Sequence, residues 1–188
     1  MAMSADDVLT NVDGKMSKAV SVLKEDLSAI RTGRASTGLV SNVRVDYHGV
    51  PTPLNQIASI SIPEARMIVI QPWERDVLPS IDKAILKSDL GLNPTNDGNV
   101  IRLVIPQLTE ERRNQLVKTV RKRVEDGKVA VRNVRRDGLE KLREMKDSKE
   151  LSEDEQKRAL GQLQQITDRF IEEIDKIAKG KEAELLEF

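Results

Sequence analysis

The chain has 188 residues, enough for one large or two small domains with an apolar core that needs no covalent staple. Cysteine is absent, which excludes disulfides, zinc–thiolate clusters and thiol nucleophiles and fits a reducing compartment. Thirty-one basic residues balance thirty-one acidic ones, so net charge alone makes no case for nucleic acid.

The first predicted element is a helix over residues 4–33. Leu9, Val12, Met16, Val20 with Ala19, Leu23, Leu27 and Ile30 recur at alternating three and four, which makes one narrow apolar stripe. Its start carries Asp6 and Asp7 and has no basic segment followed by an apolar one, so no secretory leader is expected. No apolar run approaches the roughly 20 residues that cross a bilayer. The expected location is the cytoplasm, although an organellar protein relieved of its transit peptide would read the same way.

The middle of the chain, 34–107, differs in character and holds all seven prolines. Val43, Val45 and Tyr47 alternate as a strand before a turn at His48-Gly49. Ile57, Ile60 and Ile62, then Met67 to Ile70, predict further strands. Val77 to Leu86 predicts a short helix with Ile81 and Ile85 inward. A turn at Asn96-Asp97-Gly98-Asn99 precedes a last strand, Val100 to Ile105.

Two more long helices follow. Residues 109–147 place Leu116, Val120, Val124, Val131, Val134, Leu142 and Met145 on one stripe, with Glu110 and Glu111 suited to the first turn. Residues 153–186 do so with Leu160, Leu163, Thr167, Phe170, Ile174, Ile177 and Leu185, and Ser152 and Glu155 have the spacing of a capping box. The methionines Met16 and Met145 fit core filling. Three proline-free stretches of some 30 residues run to roughly 45 Å each. Three matching stripes in one chain can close on a single seam, which predicts a three-helix bundle; pairing between chains as a coiled-coil dimer is the rival packing. The expected class is therefore α+β: a bundle of 1–33 and 108–188, with a small α/β domain of 34–107 inserted after the first helix. The chain crosses between the two near Thr32-Gly33-Arg34 and Pro106-Gln107-Leu108, either as a hinge or as plain rigid connectors.

The zero net charge hides a segregation: 109–147 carries +5 and 148–188 carries −4. Between Arg112 and Arg136 ten residues are basic and only Glu125 and Asp126 are acidic. On a helical wheel Arg121, Lys128, Arg132 and Arg135 share a stripe roughly 60° wide, centred about 100° from the apolar one. They make a ridge roughly 20 Å long beside the seam. Guanidinium forks in a row suit phosphates. Aromatics are only 2% of the chain, so shape and backbone recognition is expected rather than base stacking. The competing explanation is a solvated helix face ion-paired to the acidic third helix, an arrangement that stabilises little.

Catalytic signatures do not emerge. His48 is the only histidine and, in a turn, reads as an exposed bystander with no serine–aspartate partner set. Neither phosphate-cradling glycine pattern occurs. Glu110-Glu111 and Glu172-Glu173 fit solubility or helix-dipole roles. No enzyme, metal or cofactor is expected.

Five strings, in register from the first helix to the last residue, resemble the ribosome recycling factor family. They are Ile30-Arg-Thr-Gly-Arg-Ala-Ser36, Asp89-Leu-Gly-Leu-Asn-Pro94, Leu108-Thr-Glu-Glu-Arg-Arg113, Val129-Ala-Val-Arg-Asn-Val-Arg-Arg-Asp137 and Lys181-Glu-Ala-Glu-Leu-Leu-Glu-Phe188. The resemblance implies an L shape, one arm a long three-helix bundle and the other a β/α/β domain. It implies that the bundle lies on large-subunit RNA at the bridge to the small subunit. It also implies that elongation factor G swings the second domain, using GTP, and the ribosomal subunits part. The family's RNA-contacting arginines correspond to Arg31, Arg34, Arg132 and Arg135, and Gly33-Arg34 and Gln107-Leu108 match its hinge. Gly138, inside the second long helix, is read as a point of close helix approach. A coiled-coil adaptor that binds partner proteins is the alternative from another functional class, separable by oligomeric state and by cosedimentation with ribosomes.

Overall fold

The computed structural model describes residues 3–187, which pack as two compact units. One comprises the chain up to Leu27 together with Val117–Ala183; the other comprises Ser28–Leu116 together with the chain from Glu184 on. No described helix is long and apolar enough to cross a membrane.

Three long helices supply the first unit: α1 (Ala5–Ser28), α4 (Glu110–Asp147) and α5 (Glu153–Leu186), of which α4 starts and α5 ends in the second unit. Each begins on a side-chain cap. Ser4 and Asp7 exchange backbone-to-side-chain bonds of 2.8 and 3.1 Å ahead of α1, and Ser152 and Glu155 do the same ahead of α5 at 2.8 and 3.2 Å. Thr109 Oγ1 accepts from the Arg112 amide at the start of α4. These bonds satisfy amide donors that a first turn otherwise leaves open. The apolar stripes face one another: Met16, Val20, Leu23, Val120, Val131, Leu142, Leu163, Phe170 and Ile174 are all buried. One chain thus satisfies its own three stripes. Gly138 lies where the helices meet, and a Cβ there would stand 2.7 Å from Val12 Cγ2 and 3.4 Å from Leu163 Cδ1.

The expected stripes need correction at their edges. Val134, Leu160 and Ile177 are only half-buried, while Val8 and Ala159, outside the expected pattern, are buried. The ideal helix drifts by about 20° per heptad against a 3.5-residue repeat, so stripe members rotate off the seam and neighbours rotate on. The first helix ends at Ser28, not near residue 33. Beyond it the Arg31 side chain and a left-handed Gly33 (φ 80°) belong to the second unit.

That second unit holds a hairpin of β1 (Arg44–Tyr47) and β2 (Val50–Pro53) and a four-stranded antiparallel sheet. The sheet order is β3 (Ala58–Glu64), β4 (Met67–Pro72), β6 (Ile101–Val104), β5 (Pro94–Asn96). The short helix α3 (Leu78–Lys87) packs against β1 and β5. His48 and Gly49 both take positive φ, 51° and 85°, the backbone that a two-residue hairpin turn demands. Val45, Leu54, Ile68, Ile70, Ile81, Ile85, Ile101 and Leu103 form the core.

Here β2 and β5 were not expected; Pro51 and Pro53 lie in the first and Pro94 in the second. They are tolerated on a two-stranded ribbon and on an outer strand, where an amide donor is dispensable. Ile57 belongs to a one-turn helix, α2 (Leu54–Ile57), rather than a strand. The predicted helix over Val77–Leu86 is shifted by one residue, and the last strand starts at Ile101 rather than Val100.

Candidate nucleic-acid interface

The basic ridge is a product of the α4 helix period. With Val120, Val124, Val131 and Leu142 turned to the seam, Arg121, Lys128, Arg132 and Arg135 emerge on the flank nearest α5. Their surroundings are not uniform. Arg121 Nε donates to Glu182 Oε1 at 2.8 Å, and this hydrogen bond raises the guanidinium's pKa further above its ordinary value. Lys128 Nζ lies 2.6 Å from Asp175 Oδ1. Arg132 Nη2 donates to Glu125 Oε1, seven residues back on the same helix, at 3.1 Å.

Two rungs between α4 and α5 follow a common register. Seven residues separate Arg121 from Lys128, and seven separate Asp175 from Glu182 in the antiparallel helix. Continued by seven, the register sets Asp168 opposite Arg135. Asp168 instead accepts from Gln164 Nε2 at 2.7 Å, and Arg135, half-buried, has no ion pair or hydrogen bond among the described residues. The ridge is therefore partly the ion-paired face that its charge pattern equally allowed. The seven-residue acidic spacing in α5 was the signal that would have revealed Glu182 and Asp175. These pairs lie at the surface, with Lys128 and Glu182 half-buried; surface pairs of this kind stabilise little, and a carboxylate there exchanges readily for a phosphate.

Arg31 and Arg34 lie in the second unit, off the ridge. Arg31 Nη1 donates to the Leu90 carbonyl at 2.7 Å. Arg34 Nη2 reaches Glu187 Oε2 at 2.5 Å. Around them, Thr32 is 5% exposed and the Gly33 position would bring a Cβ to 3.6 Å from the Leu108 side chain. Thr32, Gly33, Gln107 and Leu108 thus converge on one cleft, which Arg66 and Arg113 complete; Pro106, next in the chain, is exposed.

Away from the ridge, His48, Glu74 and Asp76 bring possible ligand atoms within 4.8 Å of one another, all exposed. Glu74 already accepts the Tyr47 hydroxyl at 2.7 Å and faces His48 Nε2 at 3.3 Å. The Tyr47 hydrogen bond, then the His48 one, hold its carboxyl below the usual range. His48 is exposed, as expected for a turn, yet tied to this carboxylate.

Comparison with known proteins places these features in context. The family model described as ribosome recycling factor matches residues 23–186. A ribosome-recycling factor of Syntrophomonas wolfei is 54% identical over 181 residues, covering 96% of this chain and 98% of that protein. One from Caldicellulosiruptor bescii is 56% identical over 173 residues, covering 92% and 94%. Among solved structures, a solution structure of the ribosome recycling factor aligns over 100% of both chains with a TM-score of 0.82 and 44% identity. A second, the T. thermophilus ribosome recycling factor described with E. coli elongation factor G bound to the E. coli post-termination complex, aligns over 98% of this chain and 100% of that one, with a TM-score of 0.72 and 45% identity.

Proposed function

Because this chain belongs to the ribosome recycling factor family, we propose that it binds the post-termination ribosome on large-subunit RNA. With elongation factor G and GTP, it then promotes separation of the subunits and release from mRNA. Residues 1–33 and 108–188 serve as the RNA-binding arm, and 34–107 as the arm on which the GTPase acts. Arg121, Lys128, Arg132 and Arg135 meet the RNA backbone, and Arg31 and Arg34 extend the contact toward the pivot. The pivot comprises Thr32, Gly33 and Arg34 on one crossing and Pro106, Gln107 and Leu108 on the other. The protein acts as a monomer in the cytoplasm and performs no covalent chemistry itself; the GTP belongs to its partner.

The observation that carries this reading is the basic row on α4, open at Arg135 and closed elsewhere by carboxylates at the surface, of which Glu182 and Asp175 are half-buried. A phosphate backbone supplies stronger, charge-assisted and bidentate acceptors for the same groups. The decisive assay is subunit splitting of post-termination ribosomes, with and without elongation factor G and GTP. Splitting that requires all three components is expected. The Arg132→Ala/Arg135→Ala double variant should keep the wild-type fold by circular dichroism and bind ribosomes far more weakly. Unchanged affinity in that variant would count against the ridge.

A further inference from the structure

The cleft beside Thr32 and Leu108 carries donors that the chain itself does not pair. It encloses about 100 Å³ and is lined by Thr32, Gly33, Arg66, Gln107, Leu108 and Arg113, all in the second unit and none acidic. One water needs only about 10–15 Å³ of such space, so a tetrahedral oxyanion fits. Thr32 is 5% exposed, yet its hydroxyl has no hydrogen-bond partner among the described residues. Arg113 is half-buried, its side chain forms no ion pair among those residues, and its Nε is buried without a hydrogen-bond partner. The side chain of Arg66, at the exposed mouth, is likewise unpaired among them. Buried polar groups are nearly always hydrogen-bonded, and like charges on one small cleft disfavour each other. The three groups together call for an acceptor from outside the chain.

These donors are also held in place. The Ala35 amide donates to the Ala65 carbonyl at 2.7 Å, and the Ile105 amide to the Arg66 carbonyl at 2.8 Å. The turn between β3 and β4 is thereby fastened to residues 35 and 105, and Arg66 is set at the cleft by main-chain bonds. Arg113 stands in the first turn of α4, where its amide donates to the Thr109 carbonyl at 2.9 Å. We infer that the cleft is a binding site for a terminal phosphate group, free or as a monoester, held by the Arg66 and Arg113 guanidiniums and the Thr32 hydroxyl. The planar guanidinium fork matches phosphate oxygens. The depth of Thr32 selects a terminal phosphate over one in an RNA backbone. A terminal phosphate brings three free oxygens to a nearly buried hydroxyl, whereas a phosphodiester is tethered on two sides and has fewer to offer. The site is distinct from the ridge on α4, and its occupancy does not depend on the recycling reading.

The test uses the full-length protein labelled with nitrogen-15. Inorganic phosphate is titrated in at constant ionic strength, and dimethyl phosphate serves as the phosphodiester probe. Saturable shifts at Thr32, Gly33, Leu108 and Arg113 are expected with a Kd of about 1 mM or tighter, and no such shifts over residues 121–135. Arg66→Ala alters an exposed side chain and keeps the main-chain bonds of the turn. It should weaken phosphate by about tenfold or more, the loss of a charge-assisted contact. Arg66→Lys should recover only part of this, because an ammonium offers no fork. Thr32→Val, close in shape, should weaken binding severalfold. Dimethyl phosphate should bind at least about tenfold more weakly than phosphate, having lost one charge and two free oxygens. No saturable shift in the cleft, or unchanged affinity in Arg66→Ala, would overturn the inference. Equal affinity for dimethyl phosphate would overturn it too, since the cleft would then accept an RNA backbone. All of these readings are made on the free protein, so a chain that failed to split ribosomes would leave them decisive.

Discussion

Arg121 and Arg135 share one stripe of α4 but differ in what holds them, and that difference is measurable. Arg121 is paired with the half-buried Glu182, so its release to a phosphate costs that pair; Arg135 gives up no such pair. Alanine at Arg135 should therefore weaken ribosome binding more than alanine at Arg121. Glu182→Gln should leave affinity equal or raise it. Filter binding across a salt series reads all three, and a stronger loss at Arg121 would show the ridge to be ordered differently. A separate residue-scale prediction concerns Asp97 in the turn before β6. Its carboxylate accepts the Val100 and Asn99 amides at 2.9 and 3.0 Å and the Arg102 guanidinium, which hold its pKa at about 2. A folded pKa below the unfolded one stabilises the turn at every pH above the unfolded value of 3.8, and the gain is lost as pH falls toward about 2. A carbon-detected titration should find Asp97 still ionised at pH 3, where an ordinary aspartate is mostly protonated.

At the scale of the element, the glycines inside the long helices separate into two kinds. Around Gly161 the space is open, so alanine there adds helix propensity without a clash and should raise stability by about 0.5–1 kcal/mol. At Gly138 an added Cβ would stand 2.7 Å from Val12 Cγ2, and valine in a helix has few rotamers with which to retreat. Alanine at Gly138 should therefore destabilise, since overpacking costs about 1–3 kcal/mol against a smaller propensity gain. Opposite shifts in urea midpoint for these two substitutions are expected; the same sign for both would mean that α1 is free to move aside. The sequence reached these helices because apolar residues at alternating three and four leave little else to form. It missed β2 and β5, whose prolines are harmless only on outer strands, and strand order is a tertiary property.

For the whole molecule, the three stripes matter most because they are consumed within one chain. With Met16, Val131, Leu142, Leu163 and Ile174 nearly fully buried, no long apolar seam remains on the described bundle to drive pairing of copies. Sedimentation equilibrium should give the mass of a single chain across a wide concentration range. A concentration-dependent dimer would revive the coiled-coil adaptor. Monomeric behaviour also suits a factor that has to leave its partner after each round, since a single copy carries the entire ridge.

The amino-acid order alone determined the three long helices, the capping box at Ser152 and Glu155, the mixed α and β character of the chain and the basic stripe on α4. Each of these follows from short-range periodicity along one element, which a helix or strand imposes whatever surrounds it. It could not tell which stripe arginines meet carboxylates, where α1 stops, or that Arg31 turns to the Leu90 carbonyl. Those outcomes depend on which residues distant in the chain arrive within about 3 Å of one another, a distance set by packing and not by spacing. Asp175 and Glu182 reach α4 only because α5 returns antiparallel at one particular register.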